Sequence, residues 1–169
     1  MNLRMLLNDQ HFLNFLVAAK QSGYASGGDA KAEQLSDGGK RYRFQHTNWP
    51  GLWYEDIYHG LGKNFNPFAG HEAAGGGLQI PIFRMSYDGF AIGGEEQVAR
   101  TVNFVQQMLQ KVSPRFPFRG PESLDENGLR YLCSWAYDDD FRIRGSERVI
   151  TLNNQTRIYQ LNFLVCALV

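Results

Sequence analysis

Two stretches of this chain repeat one another's order of glycine, acidic and aromatic residues. Residues 53–89 and 131–163 each begin with an aromatic-rich segment and continue through a Gly-x-Glu motif, at Gly70 and Gly145, into a second aromatic segment. Apolar and polar residues alternate in these segments, which is the period of a half-buried strand. The pattern predicts two related β-units, and the alternative is a coincidental likeness between two hairpins.

Helical periodicity occupies two other stretches. Residues 94–112 carry valines and leucines at helical spacing, and Pro114 follows them as a stop. Residues 9–20 form a second amphipathic pattern, in which Asp9 can accept hydrogen bonds from the free amides of the first turn. Gly23 is a plausible end of that segment. The sequence therefore predicts two helices.

The alternating segments predict about seven strands, separated by turns rich in glycine, proline and asparagine. They begin near Arg41 and continue at 53–58, 68–74, 81–87, 129–137, 141–152 and 157–168. With the two helices, they predict an α+β fold. We expect a curved antiparallel sheet of about seven strands packed with two helices, in a single domain over residues 1–169.

The segment 22–40 is small and polar and holds five glycines. Such a stretch buries too little apolar area to offset the conformational entropy that is lost when the stretch becomes ordered. We interpret it as a long mobile loop, which inside a compact domain is either a lid over a site or a connection without a function of its own.

Charge and length exclude some functions. The 17 lysines and arginines equal the 17 aspartates and glutamates, so nothing indicates a nucleic-acid or anionic-membrane binder. No apolar run approaches the roughly 20 residues of a membrane span, and the start of the chain lacks a signal-peptide pattern. Cys133 and Cys166 suit buried thiols in a reducing compartment, so the predicted location is cytoplasmic.

One strand face mixes tyrosine hydroxyls with a carboxylate. Tyr54, Asp56 and Tyr58 share a face under strand alternation, and such a face either meets solvent or lines a cavity. The predicted ligand-binding residues are Tyr54, Asp56, Tyr58, His71, Glu72 and Tyr87. The expected ligand is small and either polar or aromatic.

Two chemical alternatives use the same region. Asp56 and Glu72 fall on adjacent predicted strands and could do acid–base work if burial raised one pKa, or could simply bond to turn backbone. His59 and His71 flank them, but no metal-binding spacing such as HExxH or CxxC is present. The predictions are therefore no metal and no cofactor.

Several ordered motifs resemble one family. The run comprises Tyr54-x-Asp56-x-Tyr58-x-Gly60, Phe68-x-Gly70-x-Glu72, Pro81-Ile82-Phe83-x-Met85-x-Tyr87-x-Gly89, Arg119-Gly120-Pro121 and Gly145-x-Glu147. It resembles, over about residues 10–163, a bacterial domain of unknown function that occurs alone or behind an XRE-type helix-turn-helix regulator. The chain departs from that family at Phe163-Leu164-Val165, where the family shows Tyr-x-Gly-Gly. The resemblance implies no assigned chemistry.

Three functions stay open. The first, favoured by the occurrence of the family behind regulators, is a non-catalytic domain that senses a small ligand or makes an interaction. The second is a small hydrolase that uses Asp56 or Glu72 with His71 under the 22–40 loop, which requires these groups to converge in one pocket. The third is an oligomerising module that forms a homodimer through the apolar last strand, Leu161–Val169, if that strand is a bare sheet edge.

Overall fold

The computed structural model describes residues 2–26, 32–60, 67–77 and 80–168. These residues form three α-helices and nine strands. The helices are α1 (Leu3–Asn8), α2 (Gln10–Ser22) and α3 (Glu95–Leu109), and a 3-10 turn (Tyr24–Ser26) follows α2. The strands are β1 (Glu33–Gln34), β2 (Lys40–Phe44), β3 (Leu52–Gly60), β4 (Phe68–Gly76), β5 (Ile80–Ala91), β6 (Ser123–Glu126), β7 (Leu129–Tyr137), β8 (Arg142–Thr151) and β9 (Arg157–Ala167).

All nine described strands belong to one antiparallel sheet with the order β1-β2-β3-β4-β5-β9-β8-β7-β6. The predicted α+β class and antiparallel sheet are confirmed, but the predicted number of seven strands is too low. The two additional strands are β1 and β6, which are short, largely exposed and charged. They lack the apolar alternation by which a strand is found in a sequence, because they lie at the two ends of the sheet and bury little.

The helices differ from the prediction at their ends. Asp9 caps α2 as expected, accepting from the backbone amides of His11 at 2.9 Å and Phe12 at 3.2 Å, and Gly23 follows its last residue. A third helix, α1, precedes it; this six-residue segment is too short for a periodic signal to stand out. The long helix α3 ends at Leu109, three residues before the predicted end.

Part of the predicted 22–40 loop forms regular structure, whereas residues 27–31 lie outside the described residues. The 3-10 turn and β1 both fall within it. Asp37 accepts a hydrogen bond from the Gly39 amide at 3.0 Å and lies 3.1 Å from the His59 ring nitrogen. Polar contacts of this kind order a segment that has few apolar side chains.

Strands β3-β4-β5 and β7-β8-β9 form two meanders that meet where β5 pairs with β9. At this seam Tyr87 lies opposite Phe163. Tyr87 in turn lies opposite Gly70 on β4, and Phe163 lies opposite Gly145 on β8. The registers therefore relate the two meanders by an approximate two-fold axis that passes through the sheet at the Tyr87–Phe163 pair.

The last strand does not lie at an edge of the sheet. It pairs with β5 on one side and with β8 on the other. The expectation of a bare C-terminal edge strand is therefore wrong, and its apolar composition has a simpler cause. Leu161, Phe163 and Val165 point to the helix-covered face and are buried there, which accounts for the apolar residues of that face of the strand.

The helices cover one face of the sheet and form its core. Phe12 of α2 packs on Phe83 of β5 with ring centroids 6.2 Å apart, and Phe118, from the segment after α3, stacks on the same ring at 6.3 Å. Val105 and Met108 of α3 are also buried in this core. Burial of such side chains, worth about 1.5–3 kcal/mol each, fixes the helices on this face. None of the helices in the described ranges is long and apolar enough to span a membrane.

Candidate functional site

Two carboxylates lie side by side on the helix-covered face of the sheet. Asp56 of β3 is the direct cross-strand partner of Glu72 of β4. Asp56 is 7 % exposed and Glu72 is 2 % exposed, so both carboxylates are withdrawn from water. The burial of one carboxylate is costly, and the burial of two neighbouring ones is more so, unless protons or cations compensate them.

Tyrosine side chains surround Asp56. Tyr54 and Tyr58 lie two residues before and after it on the same face of β3, and Tyr42 of β2 is its partner on the other side. Tyr87 of β5 donates a hydrogen bond from its hydroxyl to Asp56 Oδ1 at 2.9 Å. All four tyrosines are buried. Asp56 is therefore set in a mostly aromatic surrounding.

Two cations enter this region from outside the sheet. Lys20, in the last turn of α2, donates to Glu72 Oε2 and to the Phe118 carbonyl oxygen, the latter at 2.8 Å. Arg119, in the segment between α3 and β6, donates from Nε to Glu147 Oε2 at 2.5 Å. A second guanidinium nitrogen of Arg119 lies 3.9 Å from Glu72 Oε1. Arg119 thus links the glutamates of the two Gly-x-Glu motifs.

Burial changes the protonation of these groups. Burial first, and then the charge of Glu72, raises the pKa of Asp56 from its ordinary 3.8 to about 7, although Tyr87 and the two cations oppose this change. Burial lowers the pKa of Lys20, and Glu72 partly opposes that effect. Burial also raises the pKa of Tyr54 and Tyr87 well above 10, so both hydroxyls remain protonated at neutral pH.

A cavity of about 80 Å³ adjoins Asp56 between the sheet and the helices. One water needs roughly 10–15 Å³ on the same measure, so there is room for several waters or for a small organic group. Its polar lining comes from Lys20, Asp56, His59, Glu72, Arg119 and several tyrosine side chains. Val102 and Val105 of α3 line it on the helix side.

A comparison of the sequence with known protein families gives a match over most of the chain. The family described as a domain of unknown function, DUF5680, matches residues 56–168, about two thirds of the chain. The chain belongs to the DUF5680 family. Searches of curated proteins and of solved structures found no match. The resemblance to a family of unassigned function is confirmed, while the bacterial origin and the association with an XRE regulator stay predictions.

The match begins at Asp56 and includes most of the site. Asp56, Glu72, Tyr87, Arg119 and Glu147 lie within the DUF5680 region. The helix that supplies Lys20 lies before it, as do β2 and the first half of β3. The site of this DUF5680 protein is therefore completed by residues that precede the matched region.

Five of the six predicted site residues line the cavity of the DUF5680 protein, namely Tyr54, Asp56, Tyr58, Glu72 and Tyr87. His71 does not. It is exposed, and it neighbours Glu72 along β4, so its side chain points to the opposite face of the sheet. His71 therefore lies apart from the other five predicted site residues. The alternation of side chains along β4 accounts for this, because His71 and Glu72 are neighbours in one strand. The hydrolase hypothesis loses the geometry that it required of His71.

Sequence reasoning missed three charged residues of the site: Lys20, Arg119 and Glu147. The position of Lys20 near a helix C-terminus indicates only a charge that the helix dipole favours. A signal was present, because Lys20 follows Phe12 and Leu16 at intervals of four and so continues the buried stripe of α2. Arg119 and Glu147 fall within motifs that carry the family resemblance, but no local pattern pairs them, because they lie 28 residues apart in the chain.

Other reactive side chains of this DUF5680 protein lie apart from the cavity. Cys133 is buried on β7, and burial raises the pKa of its thiol to about 12, so it is a poor nucleophile. In the part of the chain that the structure describes, no group of three or more His, Cys, Asp or Glu side chains is arranged to hold a metal ion.

Proposed function

We propose that this DUF5680 protein is a binding domain that senses a small molecule in the cavity beside Asp56 and leaves it chemically unchanged. The observation that carries the proposal is a cavity bordered by four charged side chains, Lys20, Asp56, Glu72 and Arg119, each at least nine-tenths buried. Buried ion pairs are weak contributors to stability, and apolar replacements are often neutral or stabilising. Their position at a cavity favours a role in recognition.

The elements that meet at the cavity support a sensing role. Lys20 comes from α2, Arg119 from the segment after α3, and Asp56 and Glu72 from the sheet. A ligand that contacts all of them would stabilise their packing against one another. Binding would then change the stability of the protein as a whole, which is the physical basis of a sensor.

The lining favours binding over catalysis. Among the described residues that line the cavity there is no Ser, Thr or Cys to serve as a nucleophile. The Tyr54 and Tyr87 hydroxyls have pKa values well above their usual range and are held as neutral donors. One observation supports a catalytic alternative: Asp56, with a pKa of about 7 beside Glu72, is suited to general acid–base work.

A thermal-shift screen of small polar compounds tests the proposal. A ligand at about 100 times its Kd should stabilise the fold by about 2.7 kcal/mol, which raises the Tm of a chain of this size by about 5–10 °C. Val102→Phe, which places a ring in the cavity, should remove the shift. Asn103→Phe is the matched control, because it adds the same ring at the next, solvent-facing position of α3.

The outcomes separate the alternatives. A shift that Val102→Phe abolishes and Asn103→Phe retains, with the compound recovered unchanged after long incubation, supports the binding role. A compound that is consumed favours the acid–base alternative. A screen without any shift, or one whose shifts survive Val102→Phe, contradicts the proposed cavity site.

A further inference from the structure

We propose that the ligand of this cavity is a small organic cation, a primary or quaternary ammonium group, held by the Asp56 carboxylate and the surrounding tyrosine rings. This inference deepens the proposed function and rests on it. It follows from the balance of charges in the described part of the buried cluster and from the aromatic surface around Asp56, which has no ion-pair partner among the described residues.

Among the residues that the structure describes, the buried cluster contains one carboxylate more than it has cations. Lys20 forms an ion pair with Glu72, and Arg119 forms one with Glu147. Among the described residues, Asp56 is in no ion pair, and its hydrogen bond comes from the neutral Tyr87 hydroxyl. An arriving cation would therefore find an unmatched acceptor, whereas both cationic side chains of the cluster are already engaged.

An anionic ligand fits the same site poorly. It would have to displace Glu72 or Glu147 from its cation, and it would then lie near three carboxyl groups in a region of low dielectric constant. When Asp56 is ionised, a neutral ligand leaves its charge uncompensated. A cation removes the cost of burying the third carboxylate in its ionised form, because it supplies the missing opposite charge.

The aromatic surroundings of Asp56 suit an ammonium group. Rings of tyrosine attract cations that lie over their faces within about 6 Å, and the attraction increases when water is excluded. Two rings of this site already show such contacts with the protein's own cations. Lys20 Nζ lies 6.0 Å from the centroid of the Tyr54 ring, and the Arg119 guanidinium carbon lies 5.6 Å from that of Tyr87.

The chemical class can be tested with probes that differ only in their head group. Propylammonium, 1-propanol and propionate share one chain, and tetramethylammonium and tert-butanol form a second pair. Isothermal titration at millimolar concentrations and constant ionic strength measures their affinities near pH 8, where Asp56 is ionised in the empty site. We expect the two cations to bind at least about tenfold more tightly than their neutral and anionic counterparts.

Variants identify the groups that hold the cation. Asp56→Asn keeps the shape and the acceptor oxygen but removes the charge, and it should weaken propylammonium binding by at least about tenfold. Asp88→Asn, which removes the same charge from the exposed face of the sheet, should change the affinity by less than about twofold.

A second pair of variants tests the aromatic contribution and remains informative if Asp56→Asn does not fold. Tyr42 lies directly across from Asp56. Tyr42→Phe keeps the ring face and should retain most of the affinity for tetramethylammonium. Tyr42→Leu removes the face and should reduce the affinity by about 3–30-fold.

Three outcomes overturn the inference. If 1-propanol or propionate binds, Val102→Phe abolishes that binding, and the ammonium probes do not bind, then the cavity takes ligands of another class. The inference is then wrong, and the proposed function survives. If the ammonium probes bind equally well to Asp56→Asn and Tyr42→Leu, their site lies elsewhere. If no ammonium probe binds, the inference is wrong. The proposed function is contradicted as well only if the thermal-shift screen also finds no compound that raises the Tm.

Discussion

Asp56 shows how one buried ionisable residue can lower the stability of a folded protein. Its carboxylate is buried beside Glu72, and burial and the charge of Glu72 raise its pKa from 3.8 to about 7. Each pKa unit corresponds to about 1.4 kcal/mol, so ionisation of Asp56 in the folded protein costs on the order of 4 kcal/mol.

The pH dependence of stability follows from this pKa. Because the folded pKa lies above the unfolded one, the folded state binds more protons between about pH 4 and pH 7, and the contribution of Asp56 to stability falls as pH rises through that window. Asp56→Asn should therefore match the wild type below about pH 4 and exceed it above about pH 8 by up to about 4 kcal/mol. Urea unfolding at the two pH values measures this.

Asp88→Asn is the control for that comparison, since it makes the same substitution at an exposed position. The free energy of unfolding should change between the two pH values by the same amount in Asp88→Asn as in the wild type. Equal pH dependence in the wild type and Asp56→Asn would contradict the burial of an ionisable Asp56.

Arg119 connects two buried glutamates of the site. Its side chain bonds to Glu147, which is 0 % exposed, and lies close to Glu72. Arg119→Met should leave Glu147 buried without a cation and cost about 3–5 kcal/mol of unfolding free energy. Chemical denaturation of the variant measures the loss.

Arg130→Met provides the comparison. Arg130 likewise pairs with one carboxylate, donating two hydrogen bonds to Asp125 at 2.7 and 2.6 Å, but this pair is exposed to solvent. Because water screens such a pair, the variant should unfold close to the wild-type midpoint. Equal losses in the two arginine variants would show that the Arg119 pair is not desolvated.

At the level of elements, the two glycines of the Gly-x-Glu motifs allow the neighbouring rings to lie flat on the sheet. A Cβ at Gly145 would overlap the Phe163 ring, and one at Gly70 would overlap the Tyr87 ring and approach the Ile57 carbonyl oxygen to 2.6 Å. An aromatic residue opposite a glycine covers the backbone that the glycine exposes. The motif therefore links the backbone of β4 and β8 to the rings of β5 and β9.

Gly145→Ala should destabilise the protein by about 1–3 kcal/mol, because the Phe163 ring must shift within a packed core. Gly76→Ala is the matched substitution near the end of β4, where a new Cβ would meet Leu52 at an ordinary 3.6 Å. That variant should be neutral or slightly stabilised. Thermal unfolding monitored by circular dichroism distinguishes them, and a neutral Gly145→Ala would contradict the close approach.

The elements also show what the sequence can and cannot predict. Alternation identified β3 and the shared face of Tyr54, Asp56 and Tyr58, because strand geometry makes side-chain direction a local property. The pairing of Lys20 with Glu72 joins residues 52 positions apart, so it depends on how α2 docks on the sheet. No periodicity encodes such a contact. The edge strands escaped prediction for a related reason, since exposed positions carry no apolar pattern.

For the whole molecule, the decisive feature is the central place of β9. It joins the two meanders and lies between β5 and β8. A chain that ends at Gln160 would lose residues 161–167 of β9 and, with them, the Tyr87–Phe163 pair and most of the ladders to β5 and β8. We expect it to be unfolded in circular dichroism and in the amide region of NMR spectra.

The full chain and a chain that ends at Ala167 serve as controls, because both retain all of β9. A folded product from the chain ending at Gln160 would contradict the topology. The short, charged outer strands β1 and β6 suit the two ends of the sheet, because such strands resist pairing with a second molecule.

The approximate two-fold relation at the Tyr87–Phe163 seam has a further consequence. An interface in which each side presents the same surface to the other is isologous, and the contact between the two meanders has this geometry within one chain. The halves differ at the equivalent of Asp56, where β7 has Cys133 opposite Glu147. Each half therefore contributes a different part of the site: the first supplies Asp56 and Glu72, and the second supplies Glu147, which Arg119 holds.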